Sequence, residues 1–214
     1  MGRKKKNKSS VEIFIGLISF AIISIVVLMN VNNTQNENIV KEVSSDNINS
    51  TSQVLTDKLN VYFIDVGQAD SILVSNKNET MLIDAGNNEN GKDVVNFIKE
   101  KGITKINYLI GTHPHADHIG GLDDVINSDL EIENVYMPKI QTNTKTFEDV
   151  LDAIENKGLK VTAPKKGDAF KIGDSNCEIM TDSILNEKNL NLSSIIVRLE
   201  YGDNSFLFMG DRRN

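Results

Sequence analysis

The sequence predicts an α+β domain of layered sheets and helices, preceded by an apolar helix near the N-terminus. From residue 58 onward, short runs of β-branched and aromatic residues are separated by turn residues, which is typical of strands. Two segments, 91–102 and 147–154, repeat apolar residues with the period of a helix. Strands and helices each occur in clusters, so we expect no simple βαβ repeat.

Residues 11–31 are predicted to form a transmembrane signal-anchor helix. The 17 residues 13–29 carry no charge. At about 1.5 Å per residue they span roughly 26 Å, close to the ~30 Å hydrocarbon core of a bilayer. A buried core helix is one alternative, which the lack of a polar face disfavours. A cleaved signal peptide is another, but the run is long for one and no small-residue cleavage site follows.

The flanking charges predict the orientation of this helix. Five basic residues precede the apolar run, and the next cation after it is Lys41. By the positive-inside rule, residues 1–10 form a basic cytoplasmic tail. Residues 32–56 are rich in Asn and Ser without an amphipathic period, which indicates a flexible linker. The domain from residue 57 to 214 is then expected outside the cytoplasm, at a bacterial cell surface, tethered to the lipid bilayer.

Composition excludes several classes of function. The chain has 23 basic and 30 acidic residues, and without the five cations of the tail the remaining 18 basic residues leave a net charge of −12. A basic surface for nucleic acid is therefore absent, although bound divalent ions would supply positive charge to a phosphodiester substrate. Cys177 is the only cysteine, which excludes internal disulfides and thiolate-rich zinc sites.

The elements of the domain can be placed in order along the chain. Three strands joined by tight turns are predicted between residues 59 and 84, in one antiparallel sheet. A helix that ends at Gly102 is followed by the buried strand KINYLIGT. After a histidine-rich window come a helix starting in GGLDDVIN, a strand at ENVYMP and a helix ended by Gly158. The predicted strands that finish the chain are 159–163, 168–172, 176–181, 194–201 and 205–209.

The candidate chemistry lies in THPHADHIGG, which holds all 3 histidines of the chain. Alternate residues of an extended segment point the same way, so His113 and His115 can share one ion, while Asp117 and His118 reach a neighbouring position. Imidazole and carboxylate donors suit zinc, with manganese and iron as alternatives. A lone histidine is more often a core residue, but four potential ligands in six residues indicate a metal site.

The HxHxDH pattern after an apolar strand resembles the signature of the metallo-β-lactamase fold. Three further blocks occur in the family's order: FIDVGQADSILV, MLIDAG and SSIIVRLEYGDNSFLFMGD. Over residues 58–211 the chain is most similar to the branch found in DNA-internalisation competence proteins of the ComEC type. The resemblance implies a four-layer αββα sandwich with two metal ions at one edge.

The resemblance also implies a role for each site residue. His113 and His115 would bind the first ion, Asp117 and His118 the second, and Asp211 would bridge both. The family uses a metal-bound hydroxide as its nucleophile, and Asp117 would act as the catalytic residue that orients this water.

Two acids outside the histidine window match family positions. Asp84 in MLIDAG resembles a buried acid that fixes a ligand histidine, and the capping of a turn is an equal alternative. Gln68 and Asp70 match the family's GQGDS loop, with Ala69 in place of its central glycine, and we expect turn roles for both.

The similarity to the family ends at Asp211. Family members continue to a histidine-bearing block that gives the second ion its last ligand, whereas this chain ends GDRRN. The sequence therefore predicts a domain truncated at its C-terminus, with an incomplete second half and an unpaired apolar strand edge. Some members also place a ligand near NLNLSS, where this chain has no histidine.

These features are consistent with functions from two classes. The first is a membrane-anchored, extracytoplasmic metal-dependent hydrolase of phosphodiester bonds, including those of DNA, or of another small ester-like substrate. The second is a truncated, inactive remnant that binds metal weakly or not at all. A β-lactamase acting on antibiotics is disfavoured, because the strand blocks resemble the competence branch. No protein partner is inferred.

Overall fold

The computed structural model describes residues 58–182 and 188–212, which contain ten strands and four α-helices. The strands are β1 (Asn60–Phe63), β2 (Ile72–Asn76), β3 (Glu79–Ile83), β4 (Lys105–Ile110), β5 (Glu131–Tyr136), β6 (Val161–Thr162), β7 (Ala169–Ile172), β8 (Ser175–Ile179), β9 (Val197–Tyr201) and β10 (Asn204–Phe208). The helices are α1 (Gly91–Glu100), α2 (Ala116–Ile119), α3 (Leu122–Asn127) and α4 (Lys145–Asn156), and a 3-10 helix (Leu190–Ser193) precedes β9.

The N-terminal predictions concern residues beyond this part of the chain. The basic tail 1–10, the signal-anchor helix 11–31 and the linker 32–56 all lie outside the described residues. Within residues 58–182 and 188–212, no helix is long and apolar enough to cross a membrane.

The strands form two sheets. The first has the order β1-β2-β3-β4-β5-β6 and the second the order β10-β9-β8-β7. As predicted, β1, β2 and β3 pair in antiparallel fashion. The prediction of tight turns was wrong for the first connection, because residues 64–71 form an eight-residue loop between β1 and β2. The amide of Ile64 donates to the carbonyl of Ser71 at 2.9 Å and closes the base of this loop.

The expectation of no simple βαβ repeat was also wrong. Strands β3, β4, β5 and β6 pair in parallel, one after another, and helices connect each pair. The connection between β4 and β5 contains only the short helices α2 and α3, of 4 and 6 residues. Helices were predicted in all three connections, but a periodic pattern does not show which strands pair or in which direction, so the parallel order was not evident in the sequence.

Two hydrophobic cores define the layers. The first lies between the helices and the first sheet, where α1 buries the predicted face of Val94, Val95 and Ile98. The second lies between the sheets, and Ile83 and Val197 are among its members. The described residues thus form three layers, helices, sheet and sheet, of the αββα sandwich that the resemblance implied. Alternate residues of β9 are exposed on the outer face of the second sheet, and Leu207 of the edge strand β10 is 54% exposed.

Lys157 secures the end of α3 against α4. Its Nζ donates to the carbonyls of Ile126, Ser128 and Leu130 at 2.5, 2.8 and 2.9 Å. Carbonyls at the end of a helix lack partners within the helix, and hydrogen bonds from a charged donor contribute about 1.5–3 kcal/mol. The half-buried ammonium group therefore replaces several missing hydrogen bonds at once.

We expect Lys157→Met to lower the free energy of unfolding by about 1–3 kcal/mol, because three carbonyls lose a charged donor. Urea denaturation measures the change. The matched control is Lys160→Met, since Lys160 is exposed and its replacement should shift the free energy by less than about 0.5 kcal/mol. Equal unfolding midpoints for the two variants would contradict this role of Lys157.

Candidate metal centre

Three segments of the chain meet where β3, β4 and β10 end. Asp84 follows β3, the histidine window follows β4, and Asp211 follows β10. Because β3 and β4 are parallel neighbours, their carboxyl ends lie at the same edge of the first sheet. In open sheets with parallel strands, ligands bind to the loops at this edge.

Thr112 joins the two sheets at this edge. Its carbonyl accepts a hydrogen bond from the amide of Ile195 in the second half of the chain, at 3.0 Å. Gly210 packs so closely that a Cβ atom there would stand 2.9 Å from Thr112 Oγ1. The φ angle of Gly210 is +51°, which also favours glycine. These contacts bring Asp211 to the histidine window.

Asp84 organises the buried side of the centre. Its side chain is 1% exposed, and its carboxylate accepts hydrogen bonds from the amide of Thr112 (2.8 Å), from Thr112 Oγ1 (2.7 Å) and from His118 Nδ1 (2.8 Å). The φ angle of Asp84 is +58°, a left-handed conformation that Asp tolerates better than most residues. One carboxylate therefore fixes both the loop backbone and the ring of a predicted ligand.

The hydrogen bond to Asp84 determines the tautomer of His118. A carboxylate can only accept, so Nδ1 of His118 carries the hydrogen. The other nitrogen, Nε2, keeps its lone pair and lies 3.8 Å from Asp211 Oδ2. His118 is thus oriented as a ligand through Nε2, in the arrangement that a carboxylate often imposes on ligand histidines.

The tautomer of His113 follows from two hydroxyl groups. Its Nδ1 lies 3.1 Å from Thr112 Oγ1 and 3.3 Å from Ser194 Oγ. Both hydroxyls already donate elsewhere, Thr112 to Asp84 and Ser194 to the carbonyl of Asn191. Nδ1 of His113 must therefore be the donor, and Nε2 is left with its lone pair. This nitrogen faces His115, whose Nδ1 is 3.0 Å away.

The predicted ligands are brought together in part. Ligand atoms of His113, His118 and Asp211 all lie within 4.8 Å of one another. His115 contacts His113, while the side chain of Asp117 joins neither ligand group found among the described residues. Two lone-pair imidazole nitrogens and a carboxylate are donors that fit a divalent ion. The donor set therefore agrees with the divalent metal binding that the sequence indicates.

A second group contains Asp70, Asp84 and His118. Asp70 was expected to have only a turn role, yet its Oδ2 lies 3.9 Å from His118 Nδ1. Its backbone amide donates to the carbonyl of Asp117 at 3.1 Å, which attaches the loop after β1 to the histidine window. Gln68, the other residue given a turn role, is exposed in the same loop.

The electrostatics keep one histidine neutral and favour protonation of another. Burial lowers the pKa of His113 to about 3, and the neighbouring His118 and His115 contribute to the decrease. Burial also acts to lower the pKa of His118, but the hydrogen bond and charge of Asp84 outweigh it, so that the pKa is raised. A neutral His113 is ready to bind a metal ion, whereas at His118 a proton would compete with the ion.

Two supporting residues were not evident from the sequence. Thr112 stands at the start of the histidine window, and its position beside the motif was the only signal available. Ser194 lies 81 residues from His113, and a serine so far away carries no sequence signal for contact with a histidine. Asn191 belongs to the same segment, NLNLSS, for which the family resemblance indicates only a histidine that this chain lacks.

The fold and the site define a class of proteins that bind divalent ions at the edge of a two-sheet sandwich. The sequence profile of the Metallo-beta-lactamase superfamily matches residues 64–211. The chain belongs to this superfamily.

Two curated proteins of Bacillus subtilis (strain 168) are similar to this chain. ComE operon protein 3 is 27% identical over 169 residues, which cover 71% of this chain and 22% of that protein. The probable metallo-hydrolase YqgX is 31% identical over 112 residues, which cover 52% of this chain and 50% of that protein. The chain thus matches about a fifth of the first relative and half of the second.

Solved structures show the same fold. A metallo-beta-lactamase from Cronobacter sakazakii with an HARLDQ motif matches with a TM-score of 0.50, over 69% of this chain and 60% of that one. Its sequence is 14% identical, so the match concerns the fold alone.

Proposed function

We propose that this protein is a membrane-anchored, extracytoplasmic metal-dependent hydrolase of phosphodiester bonds, including those of DNA. The observation that carries the proposal is the ligand group of His113, His118 and Asp211. The hydrogen bonds at the two Nδ1 atoms leave a lone pair on each Nε2, and that of His113 faces His115 Nδ1 at 3.0 Å. Membership of the superfamily supports the reaction class.

Each site residue has a task in this proposal. A divalent ion, when bound, would supply Lewis-acid chemistry to a phosphoryl group and a water of lowered pKa. His113, His115, His118 and Asp211 would hold the ion or ions, with zinc favoured by the donor types and manganese or iron as alternatives. Asp117 is half-buried and can orient the attacking water by accepting its hydrogen bond.

The choice of substrate rests on charge and on resemblance. The four sequence blocks of the chain resemble the competence branch, and phosphodiesters are the substrate class that this resemblance favours. The domain itself is acidic, so a phosphodiester anion would be attracted to metal ions and not to a basic surface. The placement outside the cytoplasm rests on the apolar run within residues 11–31 and on the basic residues before it.

A second candidate function is a metal-binding remnant without turnover. The observation in its favour is that both ligand groups share His118, whose Nδ1 is already bound to Asp84. The two groups therefore compete for His118, and the side chain of Asp117 belongs to neither of them.

A metal titration with a hydrolysis assay separates the two. We expect the full chain in detergent to bind two Zn²⁺ or Mn²⁺ ions by calorimetry and to hydrolyse bis(4-nitrophenyl) phosphate. Asp117→Asn should lower kcat by about 10²–10⁴-fold, because the group that orients the water is lost. Asp152→Asn, an exposed change on α4, is the control. A single ion without hydrolysis would support the remnant, and no bound ion would reject the hydrolase.

A further inference from the structure

Asn191 lies in the 3-10 helix and makes two hydrogen bonds to residues of the candidate metal centre, Asp211 and Ser194. Its Nδ2 donates to Asp211 Oδ2 at 3.4 Å, and that oxygen is 3.8 Å from His118 Nε2. Its backbone carbonyl accepts from Ser194 Oγ at 2.8 Å, and the same hydroxyl accepts from Nδ1 of His113. The side chain therefore stands beside the predicted ligands, on the side of the second sheet.

The amide oxygen of Asn191 lacks a hydrogen-bond partner among the described residues. Oδ1 is buried and makes no hydrogen bond within the part of the chain that the structure describes. A buried acceptor without a partner is unfavourable, because it has lost its hydrogen bonds to water and gained none in return. Such groups are rare in folded proteins and often mark the place of a water or an ion. Within the described residues the other buried side-chain atom without a hydrogen-bond partner is Ser175 Oγ. Ser175 is the first residue of β8 and does not belong to the ligand group.

Coordination chemistry favours an ion as the missing partner. Side-chain amide oxygens are ligands of divalent cations, and they add a donor without adding charge. The described ligand group offers three donors, whereas zinc sites commonly use four positions. A half-turn of the amide about its Cβ–Cγ bond would exchange the two terminal atoms and place Oδ1 beside Asp211, where Nδ2 now lies.

We propose that Asn191 is a ligand of the metal centre through its amide oxygen, alongside His113 and Asp211. This inference rests on the proposed metal-dependent function. It gives the amide oxygen a partner and accounts for the position of a neutral side chain against a carboxylate that is 38% exposed.

Two variants distinguish a ligand from a residue that merely orients Asp211. Asn191→Leu keeps the size of the side chain and removes both polar atoms, while Asn191→Asp keeps the oxygen and removes the NH₂ donor. If the oxygen binds the ion, Asn191→Leu should weaken affinity for Zn²⁺ or Mn²⁺ by about 10–100-fold, and Asn191→Asp should bind at least as tightly as the unchanged protein. The control is Asn96→Ala on the exposed face of α1.

The measurements are calorimetric titration of the full chain with each ion and thermal unfolding of the metal-free protein. Asn191→Leu removes a buried acceptor that has no partner, so we expect its metal-free unfolding midpoint to stay equal or rise while its metal affinity falls. Equal losses of affinity in both variants would assign Asn191 to orienting Asp211 and overturn the ligand role. Unchanged affinity in both would also overturn it. Failure of the unchanged protein to bind any ion would instead reject the proposed function together with this inference.

Discussion

Asp84→Ala is expected to lower the free energy of unfolding of the metal-free protein by about 3–5 kcal/mol. The change leaves three buried donors without an acceptor, two on Thr112 and one on His118. Each unsatisfied buried donor costs about 1–3 kcal/mol, and part of this is recovered by relaxation and water. Chemical denaturation at pH 7 with a chelator present measures the loss.

The matched variants separate the charge of Asp84 from its shape. Asp84→Asn keeps the size and tolerates the left-handed backbone, so it should destabilise less than Asp84→Ala. It should still weaken metal affinity by about 10–100-fold, since the ring of His118 loses its carboxylate. Asp152→Ala on the exposed face of α4 should change stability by less than about 0.5 kcal/mol. If Asp84→Ala changed the free energy of unfolding by no more than this control does, the hydrogen bonds to Asp84 would not be needed for folding.

Acid is expected to destabilise the metal-free protein through His113. The pKa of His113 is about 3 in the folded protein against a usual value of 6.5. Between these two values the unfolded chain binds a proton at this residue and the folded protein does not. Stability must then fall as the pH drops from about 6.5 toward 3, and at about 1.4 kcal/mol per pKa unit the total loss is about 3–5 kcal/mol.

The contribution of His113 to the pH dependence of stability can be obtained by comparing the unchanged protein with a variant that lacks this histidine. His113→Asn keeps a donor near the position of Nδ1 and removes the titrating group. Denaturation midpoints of both proteins between pH 7 and 4 should converge as the pH falls, because only the unchanged protein loses this contribution. Parallel curves would contradict the assignment. His118 acts in the opposite window, since its pKa is raised: its stabilising effect is present below about 6.5 and is lost as the pH rises through the raised value.

The sequence predicted the strands and the histidine window more reliably than the connections. Strands such as β4 and β9 have an apolar or alternating pattern that matches their burial, so their positions could be predicted from the local sequence alone. The parallel order of β3 to β6 was missed although helices were predicted in all three connections, because local periodicity does not show which strands pair. The long loop before β2 was missed because VGQ resembles a turn, whereas its course is set by the contact of Asp70 with Asp117.

The same distinction applies within the site. Residues 113–118 are adjacent in the chain, and their ligand types were evident from spacing. Contacts of His113 with Ser194, and of Asp211 with Asn191, join segments that the sequence does not connect. Those contacts determine which ring nitrogen of each histidine carries the hydrogen, and so no sequence motif could predict the tautomer.

The contacts of Thr112 with Ile195 and Gly210 join the two sheets and should therefore affect folding kinetics. Ile195 and Gly210 reach Thr112 only after the second sheet has docked on the first, and contacts between such distant parts of a chain form late and slowly. An ion that needs Asp211 together with the histidines would then bind the native state and not the transition state. Added metal should therefore slow unfolding while leaving the refolding rate nearly unchanged.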